Sequence, residues 1–566
     1  MKKRLLALIL SLVMVCAMFA GCGSSTDSTA AADVTSAAAE ETTEAAEDED
    51  AAPAEETADE ASAAEAAGDI PEISYPVTGD NLNYTISVVA DGNLLDSIPG
   101  SDPAQCYGIA QMCEATGISL EYTVFAMLSD NMTLMIASGD WTDIICKIDE
   151  NYSAGIAGAL DEEVVIDLAP YIDEYAPHYA AAIHSESVYE KKAYTADGQM
   201  GAFYKMQEGQ RAGWAIRTDW LEEAGITEIP ETYDELEEAS LAVLSNHPEI
   251  DSCFPLAASF IATGYECELT YGYGFTAGQT DFIRGEDGSV QYVWTMDGAR
   301  DYIEMIARWA DEGILNVDQM LTGDAADFGN NMYVGNALFK HNGAELFGDD
   351  QYALADDPNF TIAPMNEPTV NKGDALRLGG AAKNASVAWS LSGTCHDVEA
   401  LISAIDWMYT DEGTIAMNFG LEGTTYTLDD SGYHFTDFVM NNPDGIAQFL
   451  AVSIATGLEV PGVVMPEQST AKFTNDMQLE ALEYWETQER STDASLMGTL
   501  NTEESEAAAA YADIDTVVQE TVMGWATGNT VLDDDSWNAF VETVNSMGID
   551  DVIAAYQSAE DRWDAA

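Results

Sequence analysis

The stretch from Gly201 to Glu238 places the tightest constraint on what this chain folds into. Gly201–Met206 alternates small and aromatic residues as a short extended segment, and Ala212–Arg217 forms a second short apolar run. Asp219 is placed to cap a helix over Trp220–Ala224, which Gly225 stops. Pro230 opens another start, with Thr232 as N-cap and Glu235 three residues on, the spacing of a capping box. Two strands followed by capped helices read as an α/β pattern.

The same pattern begins at Tyr84. Tyr84–Ala90 reads as a strand, Ala104–Thr116 as a helix closed by Gly117, and Ile118–Phe125 as a second strand. Asn131–Ser138 is a helix, and Trp141–Cys146 begins a third strand. Further on, Ile303, Ile306 and Ala310 recur on one helix face, Phe360–Ala363 and Ala385–Leu391 are strands, and Val398–Tyr409 is an amphipathic helix. At 566 residues the chain is too long for one core, so two or more domains are expected.

Charge narrows the function. There are 19 basic against 101 acidic residues, yet 47% of the chain is apolar, far too much for a disordered acidic polymer. A folded protein with an acidic surface is a poor partner for nucleic acid or an anionic membrane. Met-Lys-Lys-Arg followed by an apolar run from Leu5 to Phe19 reads as a signal peptide over 1–21, too short for a transmembrane helix. Phe19-Ala20-Gly21-Cys22 resembles a bacterial lipobox, which makes Cys22 the expected site of a palmitate-type anchor. Residues 22–69 then form an acidic Ala/Glu-rich tether without aromatics, spanning roughly 40 Å or more. Cys106/Cys113 and Cys253/Cys267 are spaced for local disulfides or serve as buried free thiols.

No nucleotide-binding loop, HExxH, GxSxG or dinucleotide fingerprint is present, and no CxxC pair suggests structural zinc. No enzyme, cofactor or metal is therefore expected. A cleft for a polyhydroxylated ligand would need flat aromatic faces and a few planar polar groups. Residues of that kind at strand ends are Asp140, Trp141, Tyr204, Arg211, Trp214 and Tyr271, with Tyr273, Asn342, Trp389 and Glu422. Trp220 and Trp309 read as packing residues, and Arg377 as a partner for a neighbouring carboxylate.

The run Trp214, Ile216, Arg217, Asp219, Trp220, Leu221, Gly225, Ile226 resembles a motif of the extracellular solute-binding proteins of sugar ABC importers, as does Pro230–Leu236. Asp411-Glu412-Gly413, Asn418–Gly423 and the Trp537–Arg562 segment extend the resemblance over most of Tyr84–Trp563. It implies a two-lobed, type II periplasmic-binding-protein-like α/β fold, with a hinge and an inter-lobe cleft. Lobe 1 would comprise 70–200 and 385–440, and lobe 2 would comprise 201–384 and 441–566. The implied protein is a lipid-anchored, extracellular and monomeric subunit. It closes on an oligosaccharide and delivers it to a membrane permease. A peptide- or lipid-precursor-binding importer subunit, a secreted glycoside-active enzyme and a surface adhesin are the alternatives. Many members carry an aromatic after the Asn-Gly of the strand segment, whereas this chain has Asn342-Gly343-Ala344-Glu345.

Overall fold

Alternating burial along Asn83–Ala90 builds the first strand: Tyr84, Ile86 and Val88 are buried while Thr85 and Val89 are partly open. The computed structural model describes residues 70–565 apart from 91, 127–130, 153–154, 196, 210–211, 255–266, 276–280, 323–330, 356 and 379–381. The expected signal peptide, Cys22, the tether over 22–69 and Arg211 lie outside the described residues.

Strands β1 (Asn83–Ala90), β2 (Ser119–Ala126), β3 (Ile144–Cys146) and β4 (Phe203–Glu208) join β10 (Lys383–Leu391) and β13 (Gly462–Val463) in one sheet. Its order is β13-β4-β10-β3-β1-β2. β1, β2 and β3 are parallel, β4 and β13 are parallel, and β10 runs against both β3 and β4. Five strands therefore end at the edge where β10 begins. A second sheet, ordered β8-β5-β9, consists of β5 (Gly213–Arg217) between antiparallel β8 (Phe339–Asn342) and β9 (Ile362–Met365). Two hairpins, β6 (Phe282–Arg284) with β7 (Val290–Tyr292) and β11 (Tyr426–Asp429) with β12 (Gly432–Phe435), complete the strands described.

The apolar residues gather around these sheets in separate cores. One unites Val77–Met206 with Ala385–Val460, and a small satellite around Phe419, Tyr426 and Phe435 adjoins the same stretch. Another unites Trp214–Leu378 with Ala494–Val552, with a satellite around Phe347, Phe360 and Trp485. Strand β4, expected to open the second lobe, pairs within the first sheet, and helix Gln448–Thr456 buries Ile454 in the first core.

Local chemistry accounts for several starts and stops. Thr232 Oγ1 accepts from the Glu235 amide (3.2 Å), and the Glu235 carboxylate accepts from the Thr232 amide (3.3 Å), closing the capping box of helix Tyr233–Asn246. Gly117 ends helix Tyr107–Thr116 at φ 79°, the left-handed conformation that glycine adopts without strain. Asp219 departs from expectation. Its helix begins at Thr218 with no side-chain cap, and the Asp219 carboxylate instead accepts from Nε of buried Arg217 (2.9 Å). A guanidinium enclosed between Trp220 and Phe360 needs that countercharge more than the helix needs a cap. The cysteine alternatives also resolve: Cys106, Cys113 and Cys253 are free thiols. Burial pushes the Cys106 thiol up to about 12 and that of Cys113 up to about 11, so neither is a ready nucleophile.

Candidate functional site

The chain passes between its cores at one edge of the first sheet. It leaves after the end of β4 and enters β5. It returns into the start of β10, and leaves again after β13, where the Val464 amide donates to Met206 O (2.8 Å). The first two links are tied together, the Gly209 amide donating to Ala382 O (3.0 Å). Ligands of open parallel sheets bind beyond the carboxyl ends of the strands, which here is this same edge.

On the first-core side the edge carries Lys147, directly after β3, and Lys205, within β4. Lys147 Nζ lies 3.2 Å from Glu150 and 3.2 Å from Glu459. Burial alone would lower its pKa, but those two carboxylates prevail and raise it. Burial lowers the pKa of Lys205, with Glu459 opposing and Lys147 reinforcing. Helix Asp411–Phe419 ends beside this edge, where the Asn418 amide donates to Val463 O (2.8 Å) and its carbonyl accepts from the Met465 amide (2.9 Å).

On the second-core side, β5 begins where β8 and β9 end. Glu367, just past β9 and 1% exposed, accepts from the Trp214 indole N–H. His341 Nε2 stands 3.4 Å and Arg490 Nη1 3.6 Å from the same carboxylate. Gln488 clamps the Glu367 backbone from both sides, accepting from its amide (3.0 Å) and donating to its carbonyl (2.9 Å). Arg490 Nη1 also donates to Ala212 O (3.2 Å), so this buried cluster holds the first link. Gly213 lies flat against Trp485, whose indole N–H reaches Trp214 O and Met365 O, both at 3.2 Å.

A cavity of about 610 Å³ lies on the face of the first sheet near its β2 edge, lined by Thr85, Thr123, Phe125, Met135, Asp140 and Trp141 among others. Trp141 is held over helix Asn131–Ser138 by donating its indole N–H to Ile136 O (2.9 Å). Behind the cavity wall, Asp143 accepts from the Thr85 amide and hydroxyl (both 2.8 Å) and faces His396 Nδ1 at 2.9 Å.

The residues singled out from sequence fall into different settings. Asp140 and Trp141 come together at this cavity. Tyr204, Trp214 and Trp389 are buried in the two cores and present no open ring face. Tyr273 is partly buried and stacks on Tyr233 at 4.6 Å, and Tyr271 packs beside it on the second core. Asn342 is exposed at the end of β8, its side chain accepting from the Gly343 amide (2.9 Å). Glu422 is exposed in the turn after helix Asp411–Phe419. Arg377 lies 3.4 Å from Asp493. Sequence reading passed over Lys205, Glu367 and Arg490. The scarcity of basic residues, 19 in the whole chain, was the signal that would have found the two cations.

Residues 107–415, more than half of the chain, match the family model described as bacterial extracellular solute-binding protein. The curated protein Lipoprotein LipO of Bacillus subtilis is 23% identical over 379 residues, covering 64% of this chain and 73% of LipO. Among solved structures, the alginate-binding protein AlgQ2 without calcium ion aligns with a TM-score of 0.65 at 18% identity, over 86% of this chain and all of AlgQ2. An HMO binding, ABC-transporter associated protein of Bifidobacterium longum infantis aligns at 0.67 and 16%, over 86% and 99%. The S. pneumoniae ABC-transporter substrate binding protein FusA, in complex with kestose, aligns at 0.64 and 16%, over 85% and 99%. The fold is thus the two-lobed α/β fold of solute-binding proteins, and the chain belongs to the bacterial extracellular solute-binding protein family.

Proposed function

We propose that this protein is the extracellular capture subunit of an ABC importer for oligosaccharides. It is anchored through a lipid on Cys22, binds as a monomer, and hands its ligand to permease subunits in the membrane. The observation that carries this reading is the convergence of the chain crossings on one sheet edge, which leaves a hinge beside that edge and lets the two cores close on a ligand. The lobes are then about 70–208 with 383–471, and 212–378 with 473–565. The neighbours support the ligand class: one is alginate-binding, another HMO binding, and a third is in complex with kestose. The lipoprotein relative supports the anchor. No sequence motif for catalysis stands against a binding role.

Within this reading Asp140, Trp141, Tyr271, Tyr273, Asn342, Glu422 and Arg211 contact the ligand, while Tyr204, Trp214 and Trp389 support the walls from within the cores. A thermal-shift screen with neutral and acidic oligosaccharides and short peptides tests the class, because a ligand that binds only the native state raises its melting temperature. An oligosaccharide is expected to raise it by several degrees. A shift with peptides alone would replace the saccharide reading with peptide capture, and release of reducing ends from the added saccharide would make the protein an enzyme. Labelled palmitate should be incorporated by the full chain and not by Cys22→Ser.

A further inference from the structure

With 101 acidic residues against 19 basic ones, a cation in this protein has carboxylates on every side. Most take one: Lys147 pairs with Glu459, Lys383 with Glu186 (2.5 Å), Lys372 with Glu231 (2.7 Å) and Arg562 with Glu504 (2.5 Å). Lys191 and Lys192 donate instead to the carbonyls of Trp563 and Met497. Among the described residues, Lys205 and Lys472 are the lysines whose ammonium groups form neither a hydrogen bond nor an ion pair. Both are partly buried, and burial holds both ammonium groups below their usual pKa. An unpaired, half-buried charge costs stability, so its retention asks for a reason outside the free protein.

Their positions supply one. Lys205 sits in β4, just before the first link between the cores. Lys472 sits in the last link, between Ala471, which packs with the first-core satellite, and Phe473, which packs with the second-core satellite. The charge Lys472 feels is that of Glu345, in the turn that follows the end of β8 at the other edge. The charges Lys205 feels are Glu459, already engaged by Lys147, and Lys147 itself. The two described lysines with unpaired ammonium groups thus stand beside the links between the cores.

We propose that Lys205 and Lys472 recognise an anionic substituent on the captured saccharide, so that this importer takes acidic rather than neutral sugars. The inference rests on the saccharide reading above and narrows it. An ammonium group is a point charge without the fork that selects a planar carboxylate, so a uronate and a sulfate ester present the same chemistry to it. The acidic surface does not forbid an anionic ligand. At physiological ionic strength the field of distant carboxylates is screened beyond about 8 Å, and the local pair decides.

Calorimetric titration of the intact protein decides the matter, using oligosaccharides of one length that are neutral, uronate-bearing or sulfate-bearing. The wild type should bind an acidic member at least about tenfold more tightly than the neutral one, as expected for a charge-assisted contact. Lys205→Met should erase that preference, bringing the acidic sugar down to the affinity of the neutral one, and Lys205→Arg should retain it, since the charge is kept. Lys472→Met serves as an independent variant should Lys205→Met fold poorly. The sulfate and uronate arms show which anion is preferred. Equal affinity for neutral and acidic sugars, or an acidic preference untouched in both methionine variants, overturns the proposal and leaves saccharide capture standing. Binding of none of the sugars overturns both.

Discussion

The two edges that border the chain crossings handle charge in opposite ways. On the second-core side, Glu367 is enclosed and gathers the Trp214 indole, His341, Arg490 and the Gln488 amide around it. On the first-core side, Lys147 is shared between two carboxylates and Lys205 is left with none. A buried ionic cluster stabilises little by comparison with an apolar core, but removing one member leaves the rest uncompensated. It therefore fixes geometry, here the link through Ala212 O. An unpaired lysine does the reverse: it weakens the apo protein slightly and keeps a charge available. One edge is a fixed support and the other is receptive.

Breaking the support should have the largest effect. Glu367→Ala strips the countercharge from Arg490 and the acceptor from Trp214, and should cost about 3–5 kcal/mol in denaturant unfolding. A loss below about 1 kcal/mol would mean the cluster is not structurally coupled. Gly213→Ala comes next. A Cβ there would intrude on the Trp485 ring, and overpacking of this kind costs about 1–3 kcal/mol, measured as a fall in the denaturation midpoint. An unchanged midpoint would show that Trp485 gives way freely.

The receptive edge should respond with the opposite sign. Lys205→Met removes an unpaired ammonium, so the apo variant should melt slightly higher, by roughly 1–2 °C. The pH dependence fixes the cause. A lysine whose folded pKa is lowered penalises the fold fully below that shifted value, and the penalty fades as pH rises from it to the ordinary lysine pKa. The gain from Lys205→Met should therefore shrink in alkaline solution. A variant that melts lower at every pH would place Lys205 in the support.

What the sequence disclosed and what it withheld divide along the same physical line. The Thr232–Glu235 capping box and the Gly117 stop depend on neighbours in the chain, and helix Asn131–Ser138 has the bounds expected of it. Asp219 looked like a cap because its spacing is right. A tertiary demand, the enclosure of Arg217 between two aromatic rings, took its carboxylate instead. Tyr204, Trp214 and Trp389 were attractive as stacking platforms for the same reason they are attractive as core residues. Only the sheet pairing decides which, and all three face inward. Glu367 and Arg490 lie more than a hundred residues apart, so no local pattern could announce their pairing. Lys205 was visible as a rare cation in a strand, but its lack of a partner is a property of the folded chain alone.

The central claim is closure of the two cores about the links that follow β4 and β13. Small-angle X-ray scattering of the purified protein, without ligand and saturated with the oligosaccharide that gives the largest thermal shift, tests it most directly. The account predicts a smaller radius of gyration in the saturated sample, reversed on dialysis. Superimposable scattering curves from samples shown by calorimetry to be fully bound would contradict it.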